Sequence, residues 1–515
     1  MTPPSTFDLD IDDSQDLLVL AIDVGSTATR AAVYDASGRP VGERTKVAHS
    51  FTSRVDGASM IDADQVTEEV QQVIAALLQQ FQGRSIAAVA IDTFAASLVG
   101  VDAQGAATTE CITYNDSRCS AQVAKLRAEV DELDYQRRTG CRLHASYLPA
   151  KLRWLAADRP ADFDRTKRWL SLGEYVQLKL LGDSAVGTST GAWSGLLNRQ
   201  QGTWDDQALD LAGIKPKRLL ALADPEDTLQ PKKDSAAHQQ WPSLRQARWF
   251  APVSDGYSST LGVGLTAGGI VINLATSGAL RMLIDDPLQK GGESSEDSFE
   301  MPAGLWCYRV NSRQSLLGGA TNDVGRATAW LRREMQLPEG ADLAEQIAGE
   351  PSPATPAVLP FFTGERSTGW LGNARATMHG LGYASTALDL YRGTLEGIVW
   401  SFGRILREIS ELSDLPAEAR VGGRVSTEAP GLVPLLADRL ELPMVPVTIK
   451  RSTLRGTALL ALDVLAPDVE RYPVPTGEPI IPDAKHAAYH RGRTALLDEL
   501  YADMATGLTA PAQAD

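Results

Sequence analysis

The chain twice sends a strand into a small polar turn and straight back into a second strand, and this repeat constrains its fold most. The first unit is LLVLAIDV (17–24), the turn Gly25-Ser26-Thr27, then TRAAVYD (29–35). Short runs rich in branched residues around turn residues read as paired strands. Near residue 251 the pattern returns. APVSDGYSSTLGVGL sets Asp255-Gly256 after a short apolar run, and GGIVINLATSGALRMLI reads as strand, polar turn, strand. One such unit per half of a 515-residue chain predicts an α/β fold of two lobes. The boundary is expected near residue 252, dividing the chain into 1–252 and 253–515.

Between these units the pattern interleaves. Residues 40–47 continue the first meander. Val66, Val70, Val73, Leu77 and Phe81 then recur at helical spacing after a cap at Asp62 or Asp64. A strand follows at 86–92, and SLVGVD reads as another. Residues 120–250 read as mixed and helix-rich, and 285–304 as a polar, exposed and mobile loop. A long amphipathic helix is predicted over about 385–412, a strand over 444–449, and a final helix after STLRG near 456.

Composition excludes several classes. Net charge is −16, against the basic surface that nucleic-acid or anionic-membrane binding needs. Four cysteines without a C-x-x-C give neither a zinc knuckle nor a disulfide framework. The acidic start MTPPSTFDLDIDDSQD is unlike a signal peptide, and no apolar run reaches membrane-spanning length. The expected location is cytoplasmic. A P-loop needs Gly-Lys, which is absent. GVGLTAG (262–268) has the wrong spacing for a dinucleotide fingerprint. The G-x-S-x-G at 187–191 follows a run with little strand character and reads as a loop rather than a nucleophile elbow. HAAYH (486–490) lacks the metalloprotease Glu and reads as a surface helix.

Asp-x-Gly-Ser-Thr between two strands carries what a nucleotide tail requires. Tight-turn N–H groups and small hydroxyls hold phosphate, and a carboxylate holds Mg²⁺, often through water. Asp23 would face the metal, Gly25, Ser26 and Thr27 the phosphates, and Arg30 can reach outward charge. A plain hairpin capped by Asp23 fits the stretch equally well. The second turn, ATSGA (275–279), favours the phosphate reading, because a polyphosphate gripped from both sides needs two such turns.

The ordered motifs DVGSTATR, SDGYSSTLGVG with INLATSGALR, LPFFTGERSTGW, LYRGTLEGIVWSF, VGGRVSTEAPGLVPLLADRLELPM and STLRGTALLA resemble those of the FGGY carbohydrate kinases. The resemblance runs almost the whole length. It implies two actin-like (ribonuclease H-like) ATPase domains flanking a central cleft, with ATP and Mg²⁺ as cofactors. Asp255 is implied as general base, with Thr276, Ser277 and Gly278 on phosphate oxygens. Gly319 would lie beneath the nucleotide, and Gly422, Gly423 and Ser426 beside adenine and ribose. Glu365, Arg366, Arg392 and Glu396 match family motifs and read as a scaffold of ion pairs.

On the sugar side, TYNDSR resembles a family motif that sets Asp116 and Arg118 at the pocket. TGCRLHASYLPAKLRWL is similar to gluconokinase-type members and sets His144 there. Phe94 and Ala96 belong to the same side. An anionic sugar acid would want cations, and Arg118, Arg142, His144 and Lys151 are available. For Arg142 and Lys151, surface salt bridges are the better reading. FAASL places Ala95-Ala96 where relatives carry a histidine-containing pair, and Ala275 replaces a glycine. The implied reaction is phosphoryl transfer to a small sugar or sugar acid, gluconate favoured and a xylulose-like ketose next. A homodimer is left open. The rivals are a non-catalytic sugar or nucleotide sensor and, third, a serine hydrolase through Ser189.

Overall fold

In the computed structural model, which describes residues 7–14, 17–288 and 300–509, the opening apolar run forms β1 (Val19–Val24), buried along its whole length. It turns back into β2 (Ala28–Tyr34), which pairs with β3 (Pro40–Ala48). The predicted helix follows as α1 (Ala63–Leu78). Asp62 caps it, its carboxylate accepting from the backbone N–H of Asp64 and Gln65. Val66, Val70, Val73, Ile74 and Leu77 form the stripe that α1 buries against this sheet.

β4 (Ala88–Thr93) lies parallel to β1, on the side away from β2. β5 (Thr228–Leu229) and β6 (Arg248–Phe250) extend the sheet in the order β5-β6-β4-β1-β2-β3, and β7 (Val253–Ser254) also pairs with β4. α2 (Asp255–Gly262) leaves directly from the end of β7.

The second sheet repeats the plan. β8 (Ile270–Leu274) forms a hairpin with β9 (Gly278–Asp285). β10 (Trp306–Arg309) and β11 (Gln314–Thr321) add on the antiparallel side, and α3 (Gly325–Glu334) follows. α4 (Ala387–Ser410) is the long amphipathic helix, with a capping box of Thr386 and Asp389. β12 (Ala419–Gly422) and β13 (Met444–Pro446) add on the parallel side of β8, giving the order β10-β11-β9-β8-β12-β13. Each sheet therefore has a hairpin whose first strand is flanked by a parallel neighbour. α5 (Ser452–Leu465) packs against α2 and against the first sheet.

Several expectations need correction. The strand expected over 444–449 stops at Pro446, beyond which Val447 forms an isolated bridge to Thr476 and donates to the Val421 carbonyl. The STLRG helix begins at Ser452, before its glycine. It is not the last, because α6 (Ala487–Thr509) follows. HAAYH runs from the end of a 3₁₀ turn (Ala484–His486) into α6, and His490 is buried rather than on a surface face. Within the loop expected over 285–304, residues 289–299 lie outside the described residues. Among the described residues no helix is long and apolar enough to cross a membrane.

Candidate active site

Parallel pairing fixes the centre of the site. Asp23 is the penultimate residue of β1 and Asp92 that of β4, and the register sets them directly opposite. β7 pairs with β4 at Val253–Asp92 and Ser254–Thr93, so Asp255 emerges at the same sheet edge as the first residue of α2. Three strands thus deliver three carboxylates to one place. Asp255 belongs to this group in charge as well as position. Its pKa is pushed up to about 6 by burial and by the negative charge of Asp23, against the Arg281 cation and the amides of Gly256 and Ala95.

Asp92 was not anticipated. It is fully buried, Thr457 of α5 donates to its Oδ2, and Oδ1 has no partner. Burial and the charge of Asp23 hold its carboxyl well above the usual range. Asp23 itself takes a 3.1 Å ion pair from Arg30, so Arg30 faces inward to the carboxylate rather than outward.

The turn at Gly25, Ser26 and Thr27 is open to solvent, and Gly25 N–H closes it on the Ala28 carbonyl at 3.1 Å. A buried histidine supports it from behind. One His49 ring nitrogen is 2.8 Å from the Gly25 carbonyl and the other 2.7 Å from Glu69, which also accepts from Thr29. In the second lobe Thr276 and Ser277 are likewise exposed. The Ala275 and Thr276 carbonyls accept from the N–H groups of Gly325 and Arg326 that open α3.

The glycines divide by role. Gly423 has φ 99°, and a Cβ there would lie 2.3 Å from the Leu274 carbonyl oxygen, so only glycine fits. Gly422 ends β12 beside the second turn with open space at its Cβ position, and Ser426 Oγ donates to the Gly423 carbonyl. Gly278 and Gly319 differ. A Cβ at Gly278 would meet Phe402 at 2.5 Å, and one at Gly319 would meet Ile405 at 2.7 Å. Both let α4 approach the sheet, so packing accounts for them.

On the sugar side most expected groups are engaged. Asp116 is buried and accepts from Ser59 N–H and from Arg118 Nη2 at 2.7 Å, while Arg118 stacks over Trp154. Phe94 is 1 % exposed and packs edge-on against Phe51 as core rather than pocket lining. Ala96 holds φ 56°, and its carbonyl accepts from Lys151 at 2.6 Å. Lys151 is therefore a fully buried tie to the Ala96 turn, not a surface ion pair, and burial lowers its pKa to about 8. His144 accepts from Ser146 N–H. Burial, then the Arg366, Arg127 and Lys151 charges, lowers its pKa to about 3, so it is neutral at pH 7 and offers no cation. Arg142 pairs with Glu132 as expected.

Glu365 pairs with Arg404 at 2.6 Å, and Glu396 with Arg493 at 2.7 Å and Arg392 at 3.4 Å. Arg366 makes no such pair among the described residues. The G-x-S-x-G segment is a two-residue strand leading into a short helix, Thr188–Trp193, not a loop. Ser189 is nonetheless fully buried, its hydroxyl accepting from Ser254 N–H, so it cannot attack an ester.

A hard cation suits the acidic end of this site. The donors are carboxylate oxygens, one of them buried without a partner, and their mutual repulsion is what a divalent charge relieves. Among the described residues no group of three His, Cys, Asp or Glu side chains forms a metal cage. Such a site fits Mg²⁺, which keeps waters and phosphate oxygens in its shell.

Known proteins match this architecture. The model for the N-terminal domain of the FGGY family of carbohydrate kinases matches residues 18–240, and that for its C-terminal domain matches 271–463. The gluconokinase of Bacillus subtilis (strain 168) is 24 % identical over 459 residues, covering 86 % of this chain and 87 % of its own. The crystal structure of gluconate kinase from Lactobacillus acidophilus superposes with a TM-score of 0.83 at 24 % identity, over 95 % of this chain and 98 % of that one. Xylulose kinase from Rhodospirillum rubrum gives 0.84 at 22 % identity, over 96 % and 100 %. These likenesses establish the two-lobed, actin-like fold. With both domain models matched in order across most of its length, the chain belongs to the FGGY family of carbohydrate kinases.

Proposed function

We propose that the chain transfers the γ-phosphoryl group of Mg-ATP to a hydroxyl of a small sugar or sugar acid, with Asp255 as general base and gluconate as the favoured acceptor. The observation that carries this is the convergence of Asp23, Asp92 and Asp255 at the ends of three parallel-paired strands. We divide the lobes near residue 252, close to where β7, the last strand to join the first sheet, gives way to α2.

Asp255 takes the proton from the attacking hydroxyl, as a positioned carboxylate can. The N–H groups and hydroxyls of Ser26 and Thr27 and of Thr276 and Ser277 bind phosphate oxygens, with Gly25 letting the turn close beneath them. Gly422 and Gly423 let the backbone approach the nucleoside. Asp23 and Asp92 would hold Mg²⁺, which would supply positive charge against that of the phosphates. Closure of the lobes excludes water as a competing acceptor. Gluconate is favoured because gluconokinases are among the matched relatives and because residues 139–155 resemble theirs.

ADP release measured across D-gluconate, other sugar acids, D-xylulose and glycerol tests the reading. Turnover with one of them is expected, and none with any would leave the sensor reading in its place. Acidity supplies a second check. Asp255 must be ionised to accept a proton, and its pKa stands at about 6. The value of kcat/KM is expected to fall about tenfold per pH unit below that point. A flat profile down to pH 4.5 would remove Asp255 from the base role.

A further inference from the structure

We propose that Arg281 and Arg366 together form a receptor for the carboxylate of a sugar acid, so that the acceptor is an aldonate rather than a neutral sugar. The inference rests on the kinase reading above and names the substrate class of that site.

The cations that sequence position offered for an anionic substrate are already committed. Arg118 lies on Asp116, Arg142 on Glu132 and Lys151 on the Ala96 carbonyl, and His144 is neutral. Arg30 belongs to Asp23. Arg281 and Arg366 are different. Neither has a carboxylate within 4.0 Å among the described residues, and the Nε of each is buried with no hydrogen-bond partner.

Their surroundings place them beside the reacting centre. A Cβ on Gly256, the residue after Asp255, would lie 3.7 Å from Arg281 Nη2 and 3.2 Å from the Trp193 ring. Arg281 and Asp255 feel each other's charge. Arg366 interacts with the hydroxyl of Tyr147, which is hydrogen-bonded to Tyr308. Trp193 stacks on Tyr308 with centroids 3.8 Å apart, giving the arginines an aromatic wall suited to the C–H face of a sugar chain.

The electrostatics leave one partner missing. Two neighbouring guanidinium groups repel, and burying them without a counter-ion is costly. Asp255 is a negative charge that Arg281 feels, but it makes no ion pair within 4.0 Å with either arginine. A planar carboxylate matches the donor fork of arginine.

The nucleotide phosphates are the other anion in the reaction, and the test below separates them from an acid acceptor. Arg281 is four residues beyond Ser277 on β9, about 13 Å at the rise of a strand. Arg366 meets Tyr147, on the side of the helix-rich segment that carries His144.

D-gluconate and D-sorbitol, which share hydroxyls and differ in the carboxylate, separate these outcomes without any variant. The expected result is a preference of the wild-type enzyme for gluconate of roughly a thousandfold in kcat/KM. Equal use of the two, or turnover confined to a neutral ketose, would overturn the inference and leave the kinase reading intact. No turnover with any acceptor would instead sink the kinase reading.

Arg281→Gln and Arg366→Gln are each expected to cost about a hundredfold on gluconate through KM, and less than about threefold on sorbitol. Arg→Lys at either position should recover part of that loss, which separates charge from packing. ATP affinity, measured by calorimetry without acceptor, should stay unchanged. A weakened ATP affinity with the acid preference retained would assign the arginines to phosphate. An equal fall in kcat for both acceptors would make Arg281 a positioning residue for Asp255.

Discussion

Asp255→Asn is expected to lower sugar phosphorylation by at least about a thousandfold and at the same time to make the protein more stable. The two effects share one cause. Asp255 is held beside Asp23 in a buried setting that raises its pKa from 3.8 to about 6. Its folded-state pKa therefore lies above its unfolded value. Above that pKa the ionised carboxylate destabilises the fold, and the penalty disappears as pH falls through about 6 towards 4. Asparagine keeps the shape and removes the charge at every pH. At pH 7 the gain should be on the order of 1 kcal/mol, seen as a higher denaturation midpoint that vanishes near pH 4.

The same substitution removes the proposed proton acceptor, and neither neighbouring carboxylate is placed to replace it. Asp92 is fully buried and hydrogen-bonded to Thr457, and Asp23 is paired with Arg30. ATP binding should stay near the wild-type value, because in the proposed reading Asp255 meets the acceptor hydroxyl rather than the nucleotide. Lost turnover together with lost ATP binding and lower stability would mean that Asp255 is a structural residue. Raised stability with lost turnover is the pattern of a charge kept for function.

The central carboxylates differ in how far the sequence shows them. Asp23 and Asp255 each close an apolar run before a turn signal, so local pattern is enough to find them. Asp92 also had a signal, since Ala-Ile-Asp occurs at 21–23 and again at 90–92. The echo gains meaning only once β1 and β4 pair in parallel and in register, which local pattern cannot specify. Charge is where linear reasoning failed. Lys151 and Arg142 stand nine residues apart on the same helix-rich stretch, yet one is fully buried and the other ion-paired near the surface. Arg281 lies inside an apolar strand and reads as an ordinary interruption of it. Its position beside Asp255 comes from tertiary packing, which local pattern cannot specify.

Glycine 456 tests whether that packing holds the site together. Gly456→Val is expected to destabilise the chain by about 3 kcal/mol and to cost about a hundredfold or more in kcat/KM. A Cβ on Gly456 would lie 1.7 Å from the Ser258 carbonyl oxygen of α2, and one on Gly262 would lie 1.6 Å from the Ser452 carbonyl oxygen of α5. The two helices therefore cross with backbone touching backbone, and any side chain forces them apart. Asp255 opens α2, while α5 holds Thr457 against Asp92. Arg455, beside Gly456, ties Gly38 of the first lobe to Gly262 and Tyr472 through three carbonyls. Parting the helices thus moves the base and Asp92 together and strains a latch between lobes. Gly403→Ala on α4 is the control, since its nearest neighbour would be a leucine methyl at 3.5 Å. That variant should match or exceed wild-type stability by up to about 1 kcal/mol with unchanged turnover. A Gly456→Ala enzyme that unfolds and turns over like wild type would show that this helix crossing does not set the geometry of the site.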